Sequence, residues 1–153
     1  MAPKPSSTAA PIDEAEAAAR LRLSVTRLAR RLRQESTTGH SPSQISALAV
    51  IDNHGPLTLG ALAEHERVAP PSITKVVAKL EAEGFVERTS DPTDRRVSLV
   101  STTADGRALV DETRRRKTTW LTARIHELPP AEQARLTDAL DVLEHLCTLE
   151  QRP

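Results

Sequence analysis

The sequence has almost no aromatic residues: Phe85 and Trp120 stand alone, and there is no Tyr among its 153 residues. A core made without rings must be filled by Leu, Val, Ile and Ala, which suits helices packed on helices. Such a core is thin for this length, so burial between subunits is a natural supplement. Cysteine is nearly absent too. The single Cys147 excludes an intramolecular disulfide and fits a reducing compartment. There is no excess charge of either sign: 21 Lys and Arg balance 21 Asp and Glu. No global field therefore draws the chain to nucleic acid or membrane, and any polyanion binding must come from local clustering. The first residues, MAPKPSSTAAP, carry no apolar run of signal-peptide length. No segment approaches the roughly 20 apolar residues of a membrane span. A soluble, cytoplasmic protein without a membrane partner is expected. Also missing are a Gly-rich phosphate loop, a nucleophile elbow and a His-Glu-x-x-His pair, so neither catalysis nor a cofactor is expected. The histidines (His40, His54, His65, His126, His145) give no metal set. Glu64, His65 and Glu66 are adjacent and diverge on a helix, as do His145 and Cys147.

What is present is helical periodicity. Residues 1–11, rich in Pro, Ser, Thr and Ala, read as a disordered tail. A long helix is expected from about Ile12 to Glu35, with Ala15, Ala18, Leu21, Val25, Leu28 and Leu32 on one face. Acids crowd its start and arginines its end, as the helix dipole prefers. Ser41-Pro42-Ser43-Gln44 has the form of a capping box with proline at the first helical position. It opens a second helix that Asn53-His54-Gly55-Pro56 stops. Thr58 caps a short third helix, Leu59 to about His65, with Leu59, Leu62 and Ala63 inward.

A fourth helix is expected over about 70–83, opening on Pro70-Pro71 and closing at Gly84. Ile73, Val77 and Leu80 lie on one side of it, and Ser72, Thr74, Lys75 and Lys79 on the other. A strand (about 85–90), a type I turn at Asp91-Pro92-Thr93-Asp94 and a second strand (about 96–101) should follow. Thr103 then caps a fifth helix to about Leu128, carrying Leu109, Val110, Thr113, Trp120, Leu121 and Ile125 on one side. Pro129-Pro130 starts a sixth, with an apolar stripe of Leu136, Ala139, Leu140, Leu143, Leu146 and Cys147.

The order of elements and four motifs resemble the MarR family of winged helix-turn-helix transcription regulators. Pro71-Ser72-Ile73-Thr74-Lys75-Val76-Val77, preceded by Leu62-Ala63, is similar to the family's recognition helix. Leu80-Glu81-Ala82-Glu83-Gly84-Phe85-Val86-Glu87-Arg88 resembles its exit, "L-E-x-x-G-[LF]-V-x-R". Asp91-Pro92-Thr93-Asp94-Arg95-Arg96 resembles the wing, "D-P-x-D-R-R", and Thr103-Ala104-Asp105-Gly106 the "T-x-x-G" that starts the next helix. The chain departs from the pattern at Arg67, where the family often has Gly, at Ala69, where it often has Ser, and at Thr102, usually Leu. The resemblance covers nearly the whole chain beyond the tail.

The resemblance implies a mainly α fold with a small β-wing. Residues 12–150 would form a single domain, with 41–103 the DNA-binding lobe and 12–40 with 104–150 the helical dimerisation region. It also implies a homodimeric, ligand-responsive repressor on a pseudo-palindromic operator of double-stranded DNA. The effector would be of the aromatic or phenolic acid class, with pocket residues unassigned. Physical chemistry supports the recognition-helix reading. Ser72 and Thr74 hydroxyls suit base edges or phosphates, and Lys75 and Lys79, four apart, can address one backbone. The helix N-terminus is expected to add amides and its positive dipole end. At the wing, strand alternation would send Arg95 and Arg96 to opposite faces, and Asp94 would hold the Arg96 guanidinium. Family resemblance makes Arg96 the minor-groove probe. The competing reading of these residues is a solvated face with an ordinary surface ion pair.

Two other features invite function. Arg114-Arg115-Arg116-Lys117 is the strongest charge run, but four consecutive helical residues point all round the helix. A solvated or intersubunit ion-pairing role is favoured over a nucleic-acid patch. Cys147 suggests a redox switch, but its place on the apolar stripe favours core or interface packing. The rival readings are a winged-helix interaction module without DNA, and a regulator switched through Cys147.

Overall fold

The computed structural model describes residues 13–36 and 38–149. The expected tail at 1–11, and Ile12 where the first helix was expected to start, lie outside them. The elements are α1 (Glu14–Glu35), α2 (Pro42–His54), α3 (Leu59–Glu66), α4 (Pro70–Ala82), β1 (Val86–Ser90), β2 (Ser98–Thr102), α5 (Ala104–His126) and α6 (Pro130–Thr148).

Helices start where the sequence supplies a cap. The Asp13 carboxylate accepts from the amides of Ala15 and Glu16 and begins α1. Ser41 and Gln44 form both halves of the expected capping box on α2. Thr58 accepts from the Ala61 amide and Thr103 from the Gly106 amide. The helices α4 and α6 lack a side-chain cap and begin on proline, which needs no amide partner there and has the helical φ already set.

The core collects Leu48 and Ile51 from α2, Leu62 from α3, Ile73, Val77 and Leu80 from α4, Val86 and Val100 from the strands, and Val110 from α5. Each such aliphatic side chain contributes about 1.5–3 kcal/mol when fully buried. The strands pair antiparallel, with Val86 opposite Thr102 and Ser90 opposite Ser98. Leu57, in the α2–α3 connection, exchanges both backbone hydrogen bonds with Val100, at 3.0 and 2.8 Å. That bridge ties β2 to the connection between α2 and α3. The second strand starts two residues later than expected, for a reason that lies in the turn.

At the other end the chain holds little core. Neither α1 nor α6 has a buried residue. Leu21, Leu23, Val25 and Leu28 on α1, and Leu140, Val142 and Leu146 on α6, are exposed. Cys147 is exposed as well, so core packing within the chain, one of the two bland readings of it, does not hold. The arginine run is exposed, and it forms ion pairs within the chain. Arg114 reaches Asp52 at 3.4 Å and Asn53 at 2.8 Å, joining α5 to α2. Arg116 and Arg115 both bond Glu112, and those hydrogen bonds hold its carboxyl below the usual carboxylate range, Arg116 most.

Thr102, where the resembled family carries Leu, is 8% exposed, and its hydroxyl has no hydrogen-bond partner among the described residues. A buried hydroxyl left unpaired costs about 1–3 kcal/mol. Thr102→Val keeps the branched shape and removes that hydroxyl. It should raise the urea midpoint by the equivalent of about 1 kcal/mol without changing the slope.

Candidate nucleic-acid interface

The face of α4 is set by its buried side. Ile73, Val77 and Leu80 are anchored in the core, and helical geometry then turns Ser72, Thr74, Lys75 and Lys79 outward. All four are exposed.

Two details of this face differ from expectation. The Thr74 hydroxyl donates to the Pro70 carbonyl at 3.0 Å, so toward a ligand it offers lone pairs and a methyl group rather than its proton. The helix start is also poor in free amides. Pro70 and Pro71 have none, and the Ser72 amide turns back to the Ala69 carbonyl at 2.9 Å. At this end α4 therefore presents side chains rather than free backbone amides.

Both ends of the turn-and-helix unit are fixed by the same device. Leaving α3, the Val68 amide bonds the Ala63 carbonyl and the Arg67 amide that of Glu64, with Arg67 at φ 52°. Leaving α4, Phe85 bonds Leu80 and Gly84 bonds Glu81, with Gly84 at φ 79°. Each is a Schellman closure with one left-handed residue. Gly84 adopts that conformation freely, whereas Arg67 carries about 1–2 kcal/mol of strain. The departure from Gly at this position therefore leaves the turn intact.

The exit motif also has a structural use. Arg88 Nε donates to Glu81 Oε2 at 2.9 Å, stapling β1 to α4. The Thr103 hydroxyl donates to the Gly84 carbonyl at 2.7 Å and accepts from Gly106. The end of α4 and the start of α5 are thus held together by one threonine.

The wing closes three residues later than its sequence suggests. Asp91 Oδ1 accepts from the Thr93 hydroxyl and from the amides of Thr93 and Asp94. The hydrogen-bonded turn itself runs from Asp94 to Val97, whose amide bonds the Asp94 carbonyl at 2.9 Å. Arg95 and Arg96 therefore occupy the two central positions of that turn, and strand alternation does not apply to them. Both are exposed. Asp94 Oδ1 accepts the backbone N–H of Arg96 at 3.0 Å, so it sets the backbone rather than the guanidinium. Bonds from Thr93, chiefly its hydroxyl, and from the Asp94 amide hold the Asp91 carboxyl below the usual carboxylate range. A depressed folded pKa means this contribution is present above the unfolded value and lost only as pH falls through the folded one. At neutral pH the wing tip is fully capped.

Several residues at this site were not singled out from the sequence. Gln44, read only as a cap, is buried and donates to Glu83 Oε2 at 3.1 Å. His40 lies 3.6 Å from the same oxygen and meets the Phe85 ring edge-on at 5.0 Å. These partners are some 40 residues apart in sequence, beyond any spacing rule. Among the described residues no group of three or more His, Cys, Asp or Glu could hold a metal ion, and no helix is long and apolar enough to cross a membrane.

The resulting surface is an exposed helix face with two lysines, together with a capped turn tipped with two arginines, on a chain of zero net charge. Several known proteins are similar to this chain in sequence or fold. The MarR family model matches residues 40–98. An HTH-type transcriptional regulator of Mycobacterium bovis is 41% identical over 141 residues, covering 92% of this chain and 97% of that protein. A structure from Pseudomonas aeruginosa, assigned as a transcriptional regulator, is 32% identical and superposes with a TM-score of 0.80, covering 92% of this chain and 100% of the other. The fold is shared with FabT of Streptococcus pneumoniae, solved in complex with DNA, at a TM-score of 0.64 and 20% identity, over 84% of this chain and 95% of that one. The chain belongs to the MarR family of winged helix-turn-helix transcriptional regulators.

Proposed function

We propose that this protein is a homodimeric, ligand-responsive repressor that binds a pseudo-palindromic operator and acts by binding rather than catalysis. The observation that carries this reading is the joint exposure of Ser72, Thr74, Lys75 and Lys79 on α4 with Arg95 and Arg96 at the turn tip. In the proposed complex, α4 of each subunit enters a major groove. The paired half-sites lie about one helical turn apart, and the wing tips reach the flanking minor grooves.

Residues 41–103 serve as the DNA-binding lobe, and 12–40 with 104–150 as the dimer base. Support for the base comes from the unpartnered apolar faces of α1 and α6, which a two-fold axis would cover. Cys147 lies within that stripe, and burial between subunits would shield it from oxidants. Support for a ligand comes from a cleft of about 560 Å³ between the end of α1, α2 and α5, lined by Arg33, His40, Ile45, Ala49, Val50 and Lys117 among others. Basic groups over an aliphatic floor suit an amphipathic anion such as an aromatic or phenolic acid. An occupant there would favour a head spacing that no longer fits the operator.

A titration of the full chain against the DNA upstream of its own coding sequence, with and without salicylate, tests the reading. It should give two protomers per site and weaker binding with the acid. One protomer per site would contradict the dimeric part, and no effect of any phenolic acid the ligand part. Arg96→Ala should weaken operator binding by about 1–3 kcal/mol, mostly at flanking A·T positions. Wild-type affinity in that variant would retire the minor-groove role.

A further inference from the structure

The Glu83 carboxylate, at the C-terminal cap of α4, is shared among three partners. Its Oε2 accepts from Gln44 Nε2 at 3.1 Å and lies 3.6 Å from His40 Nε2, while its Oε1 is 3.9 Å from Lys79 Nζ. Two of these partners belong to the start of α2 and the corner before it. The third is a cation on the outward face of α4. The first two are well held: Gln44 is 2% exposed, and the His40 side chain, 17% exposed, is fixed against Phe85. Lys79, 62% exposed, has the longest contact of the three. Its pairing also runs from Lys to Glu along the helix, the weaker direction for an i,i+4 pair.

We propose that His40, together with Gln44, positions Glu83 so that the Lys79 ammonium stays available to a phosphate. His40 is then a positioning residue for the DNA-reading helix without touching DNA; this rests on the reading of α4 as that helix. The direction follows from charge. A Glu83 released by His40 turns to Lys79 and neutralises it, and about one counterion-releasing phosphate contact is lost. His40 also lines the cleft. An anion seated there competes with Glu83 for the imidazole and produces the same neutralisation, which gives the cleft a route to the DNA face.

The test compares His40→Phe, which keeps a ring against Phe85, in the wild-type and Glu83→Gln backgrounds, using a duplex of the upstream DNA across a salt series. In the wild-type background, affinity at about 0.15 M salt should fall about fivefold, and the slope of log K against log salt should become shallower by about one. In the Glu83→Gln background, where no carboxylate can neutralise Lys79, His40→Phe should change neither. His40→Gln, which restores an N–H toward Glu83, should recover wild-type binding and guards against a packing defect in the phenylalanine variant. Equal losses in both backgrounds, or no loss in the wild type, would overturn the proposal. A wild-type protein without salt-dependent binding would instead overturn the reading of α4, and this inference with it.

Discussion

Gly106→Ala should destabilise the fold at the junction of α4 and α5 by about 3 kcal/mol, the upper end of what overpacking a close-packed site costs. A β-carbon at this position would sit 2.1 Å from the Phe85 carbonyl oxygen and 2.8 Å from a Thr102 methyl. The first obstacle is backbone, held by the Thr103 amide at 3.1 Å, so it cannot swing aside as a flexible side chain would. Relief requires α5 to lift from the exit of α4, breaking the Thr103–Gly84 bond and exposing Val110. Gly60, in the first turn of α3, is the internal control. A β-carbon there meets only Thr58 Oγ1, at an ordinary 3.8 Å. Gly60→Ala should therefore be neutral or stabilising by up to about 1 kcal/mol. Urea unfolding of the two variants measures the difference. Equal midpoints would show that the α4–α5 junction is softer than its geometry indicates.

Truncation after Leu128 should abolish the proposed dimer while sparing the lobe. The deletion removes α6, which has no buried residue in the single chain, so little of the Leu48–Val110 core is lost. What it removes is one apolar side of the interface, including Leu140, Val142 and Leu146. At roughly 1.5–3 kcal/mol per buried aliphatic side chain, and tenfold in affinity per 1.4 kcal/mol, the dimer constant should weaken by several orders of magnitude. Sedimentation should find a monomer with intact helical signal, or aggregation through the uncovered face of α1. A stable dimer of the truncated chain would place the interface elsewhere.

The elements and their caps were legible because their causes are local. Ser and Thr before apolar periodicity, prolines at first helical positions, and Gly84 after α4 each act within a few residues, although Asp13, expected inside the first helix, turns out to be its cap. So did the outward face of α4, once Ile73, Val77 and Leu80 were read as its buried side. The wing tip was not fully legible. Asp-Pro-Thr-Asp is a good turn by composition, but Asp91 spends its side chain on the amides that follow, which pushes the closing turn to Asp94–Val97. Arg95 and Arg96, expected just after the turn, become its two central residues in consequence. Least legible were contacts between distant segments. The use of Gln44 and His40 on Glu83 depends on α2 and α4 being packed together. The binding of Arg114 to Asp52 and Asn53, likewise, needs α5 laid on α2. A long stripe such as that of α6 announces that something covers it, but not whether the cover is the same chain or another.

The most direct test of the central claim is the salt dependence of DNA binding. The wild-type protein, titrated with its upstream duplex between about 0.05 and 0.2 M salt, should lose affinity steeply, with a log–log slope of about −0.9 for each phosphate neutralised. Lys75→Ala should make that slope shallower by about one while weakening all sequences alike. A flat salt response, or a slope unchanged by Lys75→Ala, would contradict the account. The exposed face of α4 would then serve a protein partner rather than a duplex.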